Sequence, residues 1–294
     1  MLDAVLQAVL PVLITTFIGF VWVRSGRTIA STELTVLISE VATPCLIVSS
    51  FLRTHVTPEA FVALAGGSIC AILAFTVIGT IALRLLGMDR RSFLPSLSFP
   101  NAGNLGLPLA LYAFGQEGLG YAIVFFSVAS FANHTLGQAI SAGIPNWRSL
   151  IRNPILFAVA IGVTLSFTQI PLPNWAVSTI NLIGGLTIPL MLLMLGASIS
   201  QLRITHFWRA LVLSAIRIGG GALVGIGVAA LFGMTGAMRA ALVLQCAMPV
   251  AVYNYLYALR WGNRPDEVAG LVVLSTLIAA VTTPLLLAWL MLAP

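Results

Sequence analysis

The chemistry open to this sequence is concentrated where its apolar runs are broken. Within Phe99-Pro100-Asn101-Ala102-Gly103-Asn104-Leu105-Gly106-Leu107-Pro108, two Pro, two Gly and two Asn fall inside ten residues, which is poor helix material. Each Pro also removes the donor for the carbonyl four residues earlier, so Pro108 is expected to free the carbonyl of Asn104. A second break runs from Gln245 to Asn254 around Pro249, which is expected to free the carbonyl of Gln245. Milder interruptions occur at Thr43-Pro44 and at Thr187-Ile188-Pro189, where a structural kink and a ligand contact are both open. Unwound backbone in a bilayer is tolerated only where protein buries it or where it lines a cavity. Amide side chains donate to carboxylate oxygens without adding a fixed charge, and the N-termini of half-helices favour negative ligands. The pattern therefore suits a small organic anion held by Asn101, Asn104, Gln245, Tyr253, Asn254 and Thr43, with helix breaks at Pro44, Pro100, Pro108, Pro189 and Pro249.

Three titratable residues lie within apolar runs. Glu40 sits one turn before Pro44; a carboxylate at that depth is costly and is commonly functional. It can carry a proton, coordinate a cation or pair with an Arg. Arg217 is the matching cation, with snorkelling, pairing with Glu40 and pairing with a substrate carboxylate all open to it. His134, within Asn133-His134-Thr135, reads first as a hydrogen-bonded packing residue and second as a proton relay. Asn133 is expected to serve stability more than binding. Gly219-Gly220-Gly221 with Gly225 and Gly227 has small-residue spacing for close helix contact, and no Lys-Ser/Thr follows to make it a phosphate loop. Cys45, Cys70 and Cys246 are each isolated in apolar surroundings, so neither disulfides, a metal site nor a cofactor is expected.

These residues need elements to position them, and composition says which. The chain is 59% hydrophobic and 7% charged over 294 residues, against roughly 25% charged for soluble domains. Lipid must solvate most of it. At about 20 apolar residues per crossing, this length accommodates about ten spans: 4–23, 33–52, 60–86, 93–114, 119–140, 154–169, 175–200, 208–232, 239–258 and 267–292. The start, Met1-Leu2-Asp3, lacks the basic opening of a signal peptide, so the first span reads as retained. All fourteen basic residues are Arg. Eleven fall in loops after odd-numbered spans, namely Arg24, Arg27, Arg84, Arg90, Arg91, Arg148, Arg152, Arg203, Arg209, Arg260 and Arg264, against Arg53 and Arg239 opposite. Positive residues stay cytoplasmic, which puts both termini on the non-cytoplasmic side. Their scatter also argues against nucleic acid, whose binders gather basic residues on one element.

The two halves repeat one another at spaced points. Pro11-Val12-Leu13-Ile14 with Gly19 returns as Pro154-Ile155-Leu156-Phe157 with Gly162; Leu37-Ile38 before Pro44 returns as Leu182-Ile183 before Pro189; Ser98-Phe99-Pro100-Asn101 is answered by Ala247-Met248-Pro249-Val250. With five spans per unit, the second unit enters upside down, and inverted repeats with corresponding broken helices characterise secondary transporters.

The stretch 101–108, Arg152-Asn153-Pro154-Ile155, Ile188-Pro189 through Leu195-Gly196-Ala197-Ser198, and Gln245 to Pro249 together resemble the auxin efflux carrier family. Its bacterial members include transporters of malonate and other carboxylates. The resemblance covers the whole chain. It implies an all-α polytopic membrane protein of ten helices in two inverted repeats, residues 1–140 and 154–294, joined by a loop at 141–153. It further implies that helices 4 and 9 cross at their breaks, and that helices 1, 2, 6 and 7 form a homodimeric scaffold beside a transport domain of helices 3, 4, 5, 8, 9 and 10. The long hydrophilic central loop of the plant members is missing, which points to a compact carrier of a bacterial inner membrane.

The leading expectation is a secondary carrier for a small organic anion, coupled to a proton or sodium or to neither. A cation antiporter of similar fold would use a buried Asp near the crossing, and no Asp lies within any span. A membrane sensor would carry a soluble signalling domain, and an ATP-driven pump a nucleotide site; the sequence offers neither. Nor does it offer HExxH, GxSxG or paired catalytic carboxylates, so no enzymatic activity is expected.

Overall fold

The computed structural model describes residues 2–29, 32–54, 56–143 and 154–292. The segment joining the halves, with Arg148, Arg152 and Asn153, lies outside the described residues for the most part. The described chain is helical, and its one β feature is an isolated bridge. In order the helices are α1 (Leu2–Arg24), α2 (Thr32–Leu37), α3 (Thr43–Arg53), α4 (Pro58–Leu85), α5 (Arg90–Ser98), α6 (Leu107–Ala132), α7 (Gln138–Ala142), α8 (Pro154–Thr168), α9 (Asn174–Gly185), α10 (Thr187–Gln201), α11 (Phe207–Leu231), α12 (Gly236–Cys246), α13 (Val252–Trp261) and α14 (Pro265–Leu292). Three π-helical turns, Ile38–Ala42, Ala102–Gly106 and Asn133–Gly137, join α2 to α3, open α6 and join α6 to α7.

Among the described residues, seven helical stretches are long and apolar enough to cross a membrane: Asp3–Arg24, Glu33–Arg53, Pro58–Leu85, Ala102–Ala142, Asn174–Gln201, Phe207–Leu231 and Pro265–Leu292. Pro154–Thr168 and Gly236–Cys246 are shorter apolar helices. The difference from ten has local causes. The segments expected as helices 4 and 9 are cut into halves, α5 with the start of α6, and α12 with α13. The stretch Ala102–Ala142 is 41 residues, about 60 Å if straight and twice the apolar thickness of a bilayer. It is interrupted at Gly115, whose φ of 66° and ψ of −158° leave helical space, a backbone state that suits glycine. Large apolar side chains such as Phe17, Leu182, Leu223 and Leu285 face outward, as lipid solvation requires. This is an integral membrane protein.

Helix α1 lies along α10 and also packs on α6 and α14, while α3 packs on α8 and α9. The α1–α10 contact is backbone to backbone: a Cβ on Gly19 would meet the Leu193 carbonyl, and one on Gly196 would meet the Thr16 carbonyl. Helix α11 packs on α12 and α14, α12 on α6, and α4 on α5 and α6. Of the glycines in α11, Gly221 and Gly225 press on the backbone of α12 at Cys246 and Val243, whereas Gly219, Gly220 and Gly227 face open space. Asp89 caps α5, accepting from the Ser92 amide at 2.8 Å and its hydroxyl at 2.6 Å. Burial pushes the Asp89 carboxyl up, but those hydrogen bonds, the Arg91 amide and the charge of Arg264 outweigh it and hold the carboxyl below its ordinary range.

Candidate functional site

The two principal breaks meet. Pro100 and Val250 form an isolated antiparallel bridge, and the Asn101 amide donates to the Pro249 carbonyl at 2.7 Å. The Asn254 Nδ2 donates to the Phe99 carbonyl at 3.2 Å, and the Val250 amide to the Ser275 hydroxyl at 3.2 Å. Unwound backbone inside a membrane protein must be satisfied internally, and here each break supplies partners to the other.

Arg217 completes this arrangement. The sequence left it to snorkel or to pair with Glu40 or a substrate; the structure does neither of the first two and keeps it off the cavity wall. Arg217 is 0% exposed, its Nε donating to the Met248 carbonyl at 3.1 Å, its Nη1 to the Leu97 carbonyl at 2.7 Å and its Nη2 to the Cys246 carbonyl. The guanidinium also lies 4.1 Å from the centroid of the Phe75 ring. Leu97 belongs to the last turn of α5 and Cys246 ends α12, so one side chain caps the C-terminal ends of both half-helices. Last-turn carbonyls lack intrahelical donors, which is why an Arg with its fork of donors suits the position. The ion pairs among the described residues are Arg209–Glu267 and Arg264–Glu267; Glu40 and Arg217 are not joined.

On the other side of the paired breaks lies a cavity of about 790 Å³. Its wall includes Thr43, Asn101, Asn104 and Tyr253 among the expected binding residues, and Glu40 and His134 among the titratable ones. All three π-helical turns reach it, through Ile38, Ser39 and Glu40, through Ala102, Gly103 and Asn104, and through Asn133 and His134. Two of the three widened turns have a visible cause in a following Pro. Pro44 denies the Glu40 carbonyl its helical donor, and the Thr43 amide reaches back to Ile38 instead. Pro108 acts likewise on Asn104, with the Leu107 amide bonded to the Ala102 carbonyl. Such π bulges are found frequently at functional sites.

Several polar atoms on the wall are buried with no hydrogen-bond partner: Asn101 Nδ2, Thr43 Oγ1 and Asn133 Oδ1. Asn101 is 4% exposed, so its side-chain donor is held out of water except through the cavity. Across the cavity the Ser39 hydroxyl meets the Tyr253 hydroxyl at 3.2 Å, and the His134 ring packs edge-on to Tyr253 at 5.7 Å between centroids. His134 Nδ1 lies 2.8 Å from the Ser130 carbonyl; a carbonyl only accepts, so this nitrogen carries the proton. Glu40 is exposed on the wall.

Two expected binding residues are elsewhere. Gln245 is fully buried, off the cavity wall, and packs on Gly106, with neither amide atom hydrogen-bonded. Its backbone carbonyl accepts from the Met248 amide at 3.3 Å, so Pro249 does not leave it free. Asn254 ties the breaks together and does not face the cavity. Asn133, expected to serve stability more than binding, lines the cavity, as do Ser39, Ser130, Phe126 and Tyr255. The polar triplet 133–135 inside an apolar run was the signal for the first of these. Pro189 falls in the first turn of α10, just past the interruption at Leu186, and Thr187 beside it is buried.

The sequence profile of a family described as membrane transport protein matches residues 4–144 and again residues 138–287. An uncharacterized transporter of Methanothermobacter thermautotrophicus is 26% identical over 294 aligned residues, covering 95% of this chain and 96% of the relative. An uncharacterized transporter of Methanocaldococcus jannaschii is 28% identical over 163 residues, covering 52% and 53% respectively.

Proposed function

The chain belongs to the auxin efflux carrier-type membrane transport family, and from that footing we propose that it is a secondary carrier moving a small organic anion by alternating access. The observation that carries this reading is the sidedness of the paired breaks. The half-helix N-termini that open at Ala102 and Val252 lie on the cavity wall, while the opposite, C-terminal ends are capped by Arg217. Each helix N-terminus carries roughly half a positive charge. Two of them beside the orphan donor of Asn101 favour a carboxylate over a neutral or cationic solute. No Arg side chain among the described residues lines the cavity, so the anion is held without a permanent counter-charge that would slow its release.

Ten crossings follow if the stretch Ala102–Ala142 is two spans divided at Gly115, if the α5 and α12–α13 halves complete helices 4 and 9, and if the short α8 is helix 6. On this reading helices 4 and 9 cross at the bridge between Pro100 and Val250, and the halves are inverted repeats. Helices α1, α2 with α3, α8, and α9 with α10 would be the dimeric scaffold, and the rest the moving part. Glu40 on the scaffold side and His134 opposite are the candidates for coupled proton transfer. The short link between the halves suits a compact carrier of a bacterial inner membrane, and the Arg distribution favours both termini outside.

The test is ligand-dependent thermal stability of the purified protein against a panel of small carboxylates, each paired with its neutral amide. Stabilisation by some carboxylates and by none of the amides supports the reading. Selection of amides or of amines would overturn it.

A further inference from the structure

Arg217 does more than fill hydrogen bonds. The cytoplasm-independent electrostatics of the two breaks are simple: two half-helix C-termini, each worth roughly −0.5 elementary charge, converge where Leu97, Cys246 and Met248 offer their carbonyls. In transporters with broken helices, carbonyls of this kind are what coordinate a coupling sodium ion. Here they coordinate a guanidinium that stays protonated at every physiological pH, and its single positive charge balances the two partial negative ones. The position is closed: Arg217 and Cys246 are fully buried, Gly221 one turn along α11 lets the helix press its backbone on the Cys246 carbonyl, and Phe75 covers the guanidinium face.

We propose that Arg217 is a tethered cation that occupies the place of a coupling sodium ion behind the paired breaks, joining the two half-helix C-termini permanently and leaving the carrier without a sodium site there. This deepens the carrier reading and rests on it for the word coupling, but the cation site itself can be tested without any substrate. Arg217 is a positioning residue: it touches the carbonyls that set the geometry of the breaks, and the cavity lies on their other side.

The experiment measures thermal stability of the purified full-length protein in sodium chloride against potassium and choline chloride at equal ionic strength, for the wild type, Arg217→Lys and Arg217→Ala. A sodium site filled at about ten times its Kd would stabilise the folded chain by about 1.4 kcal/mol, which is a Tm shift of roughly 2–4 °C for a chain of this size. The wild type is expected to show no difference among the three salts. Arg217→Lys, which keeps the charge, is expected to retain more of the wild-type Tm than Arg217→Ala, and Arg217→Ala to gain selectively from sodium because the carbonyl cluster has lost its cation. A selective sodium shift in the wild type overturns the proposal, and so does an Arg217→Ala protein indifferent to sodium. Where Arg217→Ala yields no folded protein, the wild-type comparison decides alone. Loss of carboxylate selectivity with these salt results intact would count against the carrier reading and not against the tethered cation.

Discussion

Truncating Asn101 should separate binding from folding more cleanly than any other change at the site. Its side-chain nitrogen is buried without a partner, so Asn101→Ala removes no intramolecular hydrogen bond made by that donor. The backbone amide, which donates to Pro249 at 2.7 Å, is untouched. Stability should therefore stay within about 1 kcal/mol of wild type, the range of a change that breaks no buried contact. A carboxylate in the cavity, by contrast, loses a charge-assisted hydrogen bond worth roughly 1.5–3 kcal/mol. At 1.4 kcal/mol per decade that is about a 10- to 150-fold rise in Kd. Calorimetric titration with whichever carboxylate the stability panel selects reads the affinity, and a melt without ligand reads the stability. Asn254→Ala is the counterpart: it removes the bond to the Phe99 carbonyl and should lower the unliganded Tm. Gln245→Ala should also act through packing against Gly106, with its effect on Kd smaller than that of Asn101→Ala. Full-affinity binding in an Asn101→Ala, Asn104→Ala double mutant would refute the assignment of the site.

Four further outcomes are expected. Gly196→Ala places a methyl group against the Thr16 carbonyl of α1 and should cost roughly 1–3 kcal/mol by overpacking, read as a lower Tm with unchanged ligand preference. Because Glu40 and Arg217 are not joined, changes at the two should combine additively to within about 0.5 kcal/mol in stability; recovery in Glu40→Gln, Arg217→Ala would mean that they pair after all. Glu40→Gln alone should alter the pH dependence of uptake in proteoliposomes, and an unchanged profile would remove Glu40 from coupling. A thiol reagent that cannot cross the membrane should label cysteine at Gln116 and Pro173 in intact cells and miss it at Met88, with the reverse pattern overturning the orientation.

The breaks were legible in the sequence because Pro and Gly act locally: Pro100, Pro108, Pro189 and Pro249 all fall at or beside interruptions in the structure. Side-chain direction was not legible, because it depends on helical phase on each side of a break. Tyr253 and Asn254 are adjacent and so diverge by about 100° on α13; Tyr253 reaches the cavity while Asn254 turns back to Phe99. Gln245 precedes its break on α12, whose face is claimed by α6 and α11. The acceptors of Arg217 were not legible for a different reason. In sequence a buried cation suggests a carboxylate partner, since side chains are the only charges visible there. The acceptors it uses are backbone carbonyls, which become available only where folding ends two helices side by side. The π-helical turns at Ile38–Ala42 and Ala102–Gly106 were hidden too, since they arise from how Pro44 and Pro108 shift the preceding hydrogen bonds, not from a composition of their own.

The bonds that join the breaks also constrain how they can move. Asn101 to Pro249, Asn254 to Phe99, Val250 to Ser275 and Arg217 to three carbonyls tie α5, α11, α12, α13 and α14 into one network. Pulling the breaks apart would strand a buried guanidinium, and leaving such a charge uncompensated typically costs roughly 3–5 kcal/mol. Toward α2 the Ser39–Tyr253 hydroxyl pair spans the cavity boundary, and a neutral bond of this kind has a net worth of roughly 0.5–1.5 kcal/mol. On the proposed carrier reading, a change of access that moves the joined breaks as a body avoids that cost, and Arg217 stays with its carbonyls throughout.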